Sequence, residues 1–189
     1  MSPRAVGEPS GACLWLTGLP SAGKTSIAGE LARLLRDRGL AVELLDGDEV
    51  RKGLSADLGF DRAARETHAR RVAFVAGVLV RHGVFPIVAL ISPYRSSRAA
   101  ARAAIGAFVE IYVATPLAVC EQRDRKGLYA EARAGRIKEF TGVDDPYEPP
   151  EHPEVTVVTV GETPAESARR VLAELEHLRV LGPGRTERI

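Results

Sequence analysis

The chain has 189 residues, 45% of them apolar, and a formal net charge of +1 at pH 7. That length suits one α/β domain with a sizeable core but not two, and so balanced a charge gives no reason to expect nucleic acid or another polyanion as partner. The longest apolar run, residues 72–80, is too short to cross a bilayer, and residues 1–11 carry one Arg and no apolar run, so neither an anchor nor a secretion signal is read there.

Residues 1–11 read as a flexible terminus, 12–181 as a single domain and 182–189 as a flexible tail. The first predicted strand is 12–17, followed by a glycine-bearing loop and a helix over 24–38. In that helix Ile27, Leu31, Leu34 and Leu35 share one face. A second strand at 42–46 leads into an acidic turn, then a helix over 63–81. Next come a strand at 85–91, a helix at 96–105, a strand at 109–114 and a short helix at 117–122. The last pair is a strand at 155–160 and a helix at 164–181, with Pro164 near its start and Ala168, Val171, Leu172 and Leu175 on one face. Short β-branched runs alternating with helices predict a parallel sheet of about five strands with helices on both faces. Residues 123–153 break the rhythm, being polar and rich in Gly and Pro, and a segment of that length reads as a lid.

Cys13 and Cys120 both lie in apolar segments and read as packed core thiols, which with the missing leader suggests a reducing, cytoplasmic setting. The chain uses 22 Arg but only four Lys (Lys24, Lys52, Lys126 and Lys138), and it has no Asn.

The run Gly18-Leu19-Pro20-Ser21-Ala22-Gly23-Lys24-Thr25 fits G-x-x-x-x-G-K-[ST] and sits between a predicted strand and a predicted helix, followed by Ser26. Glycines let backbone N–H groups face phosphate oxygens, and the helix adds its positive end. Lys24 can reach the β- and γ-phosphates, and the Thr25 hydroxyl can ligate Mg²⁺, so the loop predicts ATP with Mg²⁺. A guanine-nucleotide switch would carry Asn-Lys-x-Asp, which a chain without Asn lacks. A small P-loop domain with a lid reads best as a small-molecule kinase.

The second strand ends in Asp46-Gly47-Asp48-Glu49-Val50-Arg51, at the sheet edge where open parallel sheets bind ligands. A carboxylate there can take a hydroxyl proton or orient Mg²⁺, and Arg51 can clamp an anion. The same run is also compatible with a solvated strand-end turn.

The blocks 46–51, Leu58-Gly59-Phe60, Ile91-Ser92-Pro93-Tyr94-Arg95, Lys126-Gly127-Leu128-Tyr129, Ala132-Arg133-Ala134-Gly135 and Phe140-Thr141-Gly142-Val143-Asp144-Asp145-Pro146-Tyr147-Glu148 resemble adenylylsulfate (APS) kinases, in the family's order and close to its spacings, from about residue 13 to 160. The resemblance implies transfer of the ATP γ-phosphoryl group to the 3′-hydroxyl of adenylylsulfate. It implies Asp48 as base or orienter, supported by Asp46, with Arg51 and Arg65 on the phosphosulfate and Phe60 and Phe140 around the adenine. It places Ile91, Ser92 and His68 at the acceptor, Ser92 matching a phosphoserine position, and Lys126 and Arg123 on the lid over the nucleotides. It also implies a homodimer. Phe60 and Phe140 stand in polar sequence, where a pure core role is less natural. The pattern departs at His68, where the family usually has Asn, at Ala69 and Glu49, and at Pro20 and Ser21. Two other readings stay open: a kinase of the same fold acting on another nucleotide-like anion such as a cytidine diphosphoramidate, and a nucleotide-binding protein without turnover.

Overall fold

In the computed structural model, residues 11–181 are described. The expected flexible segments at 1–10 and 182–189 lie outside the described residues, whereas Gly11 is buried and belongs to the domain. Five strands form one parallel sheet: β1 (Cys13–Thr17), β2 (Val42–Asp46), β3 (Phe85–Ala89), β4 (Phe108–Val113) and β5 (Val155–Val157), in the order β2-β3-β1-β4-β5. The connecting helices are α1 (Lys24–Asp37), α2 (Gly47–Leu54), α3 (Arg62–Arg81), α4 (Arg95–Ile105), α5 (Leu117–Gln122), α6 (Leu128–Arg133) and α7 (Pro164–His177).

Strand β1 shows why the sheet is covered twice. Its side chains alternate, so Leu14 and Leu16 pack with α1 and α7 while Cys13 and Trp15 pack with α3 and α4. Both faces are apolar, as a buried parallel strand requires. The chain leaves β1 toward β2 on one side and returns beyond it to β4 on the other, so the crevice at the carboxyl end of β1 is the switch point where ligands bind.

Two helices were not anticipated. The acidic run after β2 is not a turn but the start of α2, because the Asp46 side chain accepts from Asp48 N at 3.0 Å and caps it, with Asp48 and Glu49 at the positive end. Inside the lid, α6 forms where Tyr129, Ala132 and Phe140 reach the main core. Strand β3 stops at Ala89 rather than 91, and β5 at Val157 rather than 160, where Val158 and Val160 turn outward. Helix α7 stops at His177, and its start carries a capping box between Thr163 and Glu166.

Candidate active site

The loop between β1 and α1 curls over the switch point. Gly18 has φ of 152°, and a Cβ there would lie 2.6 Å from Val113 O; Gly23 has φ of 107°. Both positions need glycine, one for space and one for conformation. Ser21 takes φ of 58° without being glycine, a local strain of about 1 kcal/mol at an exposed turn. The Ala22 carbonyl accepts from Thr115 Oγ1 at 2.8 Å, and the Pro20 carbonyl accepts from Tyr129 Oη at 3.0 Å, so β4 and the lid both hold the loop.

Lys24 is buried and donates to Gly18 O at 2.9 Å and Leu19 O at 2.7 Å. Burial pushes its pKa down to about 8, with Asp46 and Asp48 among the groups pulling the other way. Thr25 Oγ1 donates to Asp46 Oδ2 at 2.7 Å, and the other Asp46 oxygen caps α2 through Asp48 N. One carboxylate therefore ties the phosphate loop to the residue beyond β2. Ser26, next on α1, is exposed. Arg123 reaches the base of the loop from the other side, donating to Thr159 Oγ1 at 2.6 Å and Thr159 O at 2.9 Å, while Thr159 Oγ1 contacts Ala22 O.

Asp48 is exposed and forms an ion pair with Lys126 of the lid, which holds the Lys126 pKa above its usual range. The other residues expected on the acceptor side converge next to it. The Arg51 guanidinium lies 4.5 Å above the Phe60 ring and donates to Gly59 O at 2.8 Å. Arg65 donates to Phe60 O at 2.6 Å and to Glu139 O at 2.8 Å, so it bridges the Phe60 loop and the segment carrying Phe140. Phe60 is 58% exposed and can stack on a ligand. Phe140 is not in polar surroundings as its sequence neighbours suggested: it is 8% exposed, with its ring edge-on to Tyr129 at 4.9 Å. The segment folds back through Asp144, which accepts from Phe140 N at 2.8 Å and turns the ring inward.

His68 is buried on α3 and shares a 2.9 Å hydrogen bond with Ser55 Oγ. Burial, with Arg51 and Arg71 nearby, pushes its pKa down to about 4, so the ring is neutral. Ser92 is buried with φ of 37°; its Oγ accepts from Trp15 Nε1 at 3.0 Å and its carbonyl accepts from Arg98 Nη1 at 2.7 Å. The Ile91 carbonyl accepts from Thr17 Oγ1 at 2.7 Å.

Three residues to which the sequence reading gave no role organise this site. Arg98, 3% exposed, joins Glu110, the Ser92 carbonyl and the Glu148 carbonyl with bonds of 2.6, 2.7 and 2.6 Å. Tyr147 Oη meets Thr17 Oγ1 at 2.9 Å, fastening the end of the lid to the strand that feeds the phosphate loop. Tyr129 pins the lid to that loop. The two tyrosines stood in recognisable blocks, but Arg98 was one of 22 arginines and carried no local signal.

A strand-loop-helix phosphate cradle with a buried lysine, a carboxylate-bearing second strand and the segment 123–153 pinned to both through Tyr129 and Lys126 define a P-loop kinase. A family profile for adenylylsulphate kinase matches residues 10–158. The adenylyl-sulfate kinase of Rippkaea orientalis is 53% identical over 171 residues, 90% of this chain and 94% of that protein. An APS kinase of Mycobacterium tuberculosis, solved in complex with AMPPNP and APS, has a TM-score of 0.86 at 42% identity and covers 89% of this chain and 99% of that one. A hexameric APS kinase from Thiobacillus denitrificans has a TM-score of 0.71 at 36% identity, covering 92% of this chain and 30% of that one. The chain belongs to the adenylylsulphate kinase family.

Proposed function

We propose that the protein transfers the γ-phosphoryl group of ATP to the 3′-hydroxyl of adenylylsulfate, releasing 3′-phosphoadenylylsulfate and ADP. The observation that carries this is the relay Thr25–Asp46–Asp48, in which one carboxylate fixes the phosphate loop and the candidate base relative to each other. Family membership and the solved relative with AMPPNP and APS support the choice of substrates.

On this reading Lys24 leaves the Gly18 and Leu19 carbonyls for the β- and γ-phosphates, and the backbone N–H groups of residues 18–25 hold the rest. Arg51 and Arg65 hold the phosphosulfate, and Phe60 stacks on the acceptor adenine, with Phe140 behind it. Ile91 and His68 line the acceptor side, and Arg123 lies over the ATP side. Asp48 leaves Lys126 and accepts the 3′-hydroxyl proton as that oxygen bonds to the γ-phosphorus. The bond from phosphorus to the bridging oxygen breaks, and ADP departs. No covalent enzyme intermediate is needed, and Ser92, occupied by Trp15 and Arg98, is assigned to fixing the loop after β3.

The residues present suit Mg²⁺. Thr25 and Asp46 offer hard oxygens 2.7 Å apart, and such an ion takes one or two protein oxygens with the rest from phosphates and water. Among the described residues no group of three or more His, Cys, Asp or Glu could hold a metal unaided, which agrees with a site completed by substrate. When bound, Mg²⁺ neutralises charge on the β- and γ-oxygens. None of the described helices is long and apolar enough to cross a membrane, and the two buried free cysteines fit the reducing, cytoplasmic location included in this proposal. A homodimer is also proposed, from the family resemblance.

The test is ADP release with ATP and Mg²⁺ and one acceptor at a time. Adenylylsulfate should stimulate release strongly. Stimulation by a cytidine diphosphoramidate alone would move the acceptor class, and release unaffected by any acceptor would refute a kinase role.

A further inference from the structure

Helix α2 ends on Ser55, which is fully buried and whose hydroxyl lies 2.9 Å from His68 Nδ1 on α3. Among the described residues that nitrogen is the one hydrogen-bond partner of the Ser55 hydroxyl. A hydroxyl sealed from water keeps its proton hydrogen-bonded wherever an acceptor is in reach. If Nδ1 carried a hydrogen and donated it to Oγ, the Ser55 proton would have no acceptor. The arrangement that satisfies both groups has Ser55 donating to Nδ1, which leaves the hydrogen of the neutral ring on Nε2. Burial and the charges of Arg51 and Arg71 hold the ring's pKa down to about 4, so the doubly protonated form does not compete.

Nε2 has no protein partner among the described residues, yet it is not sealed off, because Ser97 Oγ is the one side-chain polar atom there that is both buried and unpartnered. The ring lies close enough to Arg51 to feel its charge, and Arg65 stands three residues earlier on α3, one turn away on the same side. We propose that Ser55 is a positioning residue for the acceptor: by holding His68 in its Nε2–H form, it presents one uncharged donor, beside Arg51 and Arg65, to an oxygen of the acceptor's anionic group. This rests on the reading of Arg51, Arg65 and His68 as acceptor-side residues. A ring free to exchange tautomers would at times turn a lone pair toward that oxygen and repel it. The buried hydroxyl removes that form, so the ring always attracts the anion and adds direction without adding charge.

The plainer account is a satisfied core pair that holds the loop after α2. Such a pair would leave neither ring nitrogen open. The loop also has another tie to α3, since Arg71 donates to Leu54 O at 2.7 Å and to Asp57 Oδ1 at 2.6 Å.

The experiment is a long-range proton–nitrogen correlation spectrum of the full chain, with the His68 signals assigned by their loss in His68→Gln. It is read before and after adenylylsulfate is added with ADP in place of ATP. In the wild type Nδ1 should be unprotonated and Nε2 protonated, and adenylylsulfate should shift the Nε2 signal. Ser55→Ala should mix the two forms and raise the acceptor KM roughly three- to tenfold, as for one neutral hydrogen bond, with the ATP KM unchanged. Ser55→Thr keeps the hydroxyl and should restore the acceptor KM. A glutamine amide carries N–H whatever its neighbour does, so on a His68→Gln background Ser55→Ala should change the acceptor KM by less than about twofold. A protonated Nδ1 in the wild type would overturn the proposal, as would equal rises in both KM values or the same factor on both backgrounds. So would adenylylsulfate that binds without moving the Nε2 signal. Adenylylsulfate that neither binds nor stimulates ADP release would sink the acceptor reading and this proposal with it, whereas a protonated Nδ1 sinks the proposal alone, so the two failures are told apart.

Discussion

Replacing Arg98 by Met tests whether the lid and the acceptor side share one buried anchor. The guanidinium is 3% exposed and makes bonds of 2.6 Å to Glu110 Oε1, 2.7 Å to Ser92 O and 2.6 Å to Glu148 O. A methionine fills the stem of that space but supplies no donors. Glu110 is left buried with Arg102 Nη2 at 3.6 Å as its remaining cation, and two carbonyls lose a strong partner. Breaking a buried pair by removing one member costs about 3–5 kcal/mol. At about 2–4 °C per kcal/mol for a domain of this size, the melting temperature should fall by roughly 6–20 °C. Arg98→Lys should fall between, because one ammonium cannot serve three acceptors spread around a planar fork. Arg33→Ala, which breaks an exposed pair with Glu30 and Asp37, should cost under about 1 kcal/mol and serves as the control. Urea unfolding gives the free energies, and initial rates give the two KM values. On the proposed reading the loop that Ser92 fixes lines the acceptor side, so Arg98→Met should raise the acceptor KM more than the ATP KM. A loss of stability within about 1 kcal/mol of wild type would refute the anchor, since no buried ion can be stripped of its partner so cheaply.

Asp48→Ala should lower kcat by about 10²- to 10⁴-fold while ATP still binds by calorimetry; near-normal turnover would remove Asp48 from the role of base. Phe60→Ala should raise the acceptor KM by roughly ten- to a hundredfold, from about 1–3 kcal/mol of stacking, with little loss of stability because the ring is exposed. Phe140→Ala should instead lower stability by about 3–5 kcal/mol as a core truncation, so its KM effect must be measured well below its melting point; unchanged stability would show the ring is not packed. Lys24 loses its charge as pH rises through about 8 in the free enzyme, so kcat/KM for ATP should fall above that pH, and a flat profile to pH 9.5 would contradict the burial. The His68 pKa is lowered to about 4, so protonation is penalised only in the folded state; stability should be lost as pH falls from the unfolded value near 6.5 toward 4, and His68→Gln should flatten that slope in melts.

The phosphate loop was legible because its chemistry is local. Backbone geometry at Gly18 and Gly23, one ammonium and one hydroxyl must occur at fixed spacing in consecutive residues, and no distant contact can replace them. Strands β1 and β3 were legible for a similar reason, since a strand covered on both faces must be apolar throughout. Helix α2 was missed because its stop-and-start signal is compressed: Asp46 ends β2 and caps α2 at once, leaving no loop to read. Phe140 was misjudged because its neighbours in sequence are polar while its neighbours in space are Tyr129 and the main core.

By itself the sequence determined an ATP-using P-loop domain, with Lys24 and Thr25 where the loop enters its helix and acidic residues at the end of the second strand. It could not say which of 22 arginines would be buried, that Tyr129 and Tyr147 would fasten the lid to the phosphate loop and to β1, or that Phe74 would be left facing outward. Those outcomes depend on contacts between residues up to 130 positions apart, as for Thr17 and Tyr147. Such contacts leave no periodic or motif signal, because each partner's role is set only by what the folded chain brings against it.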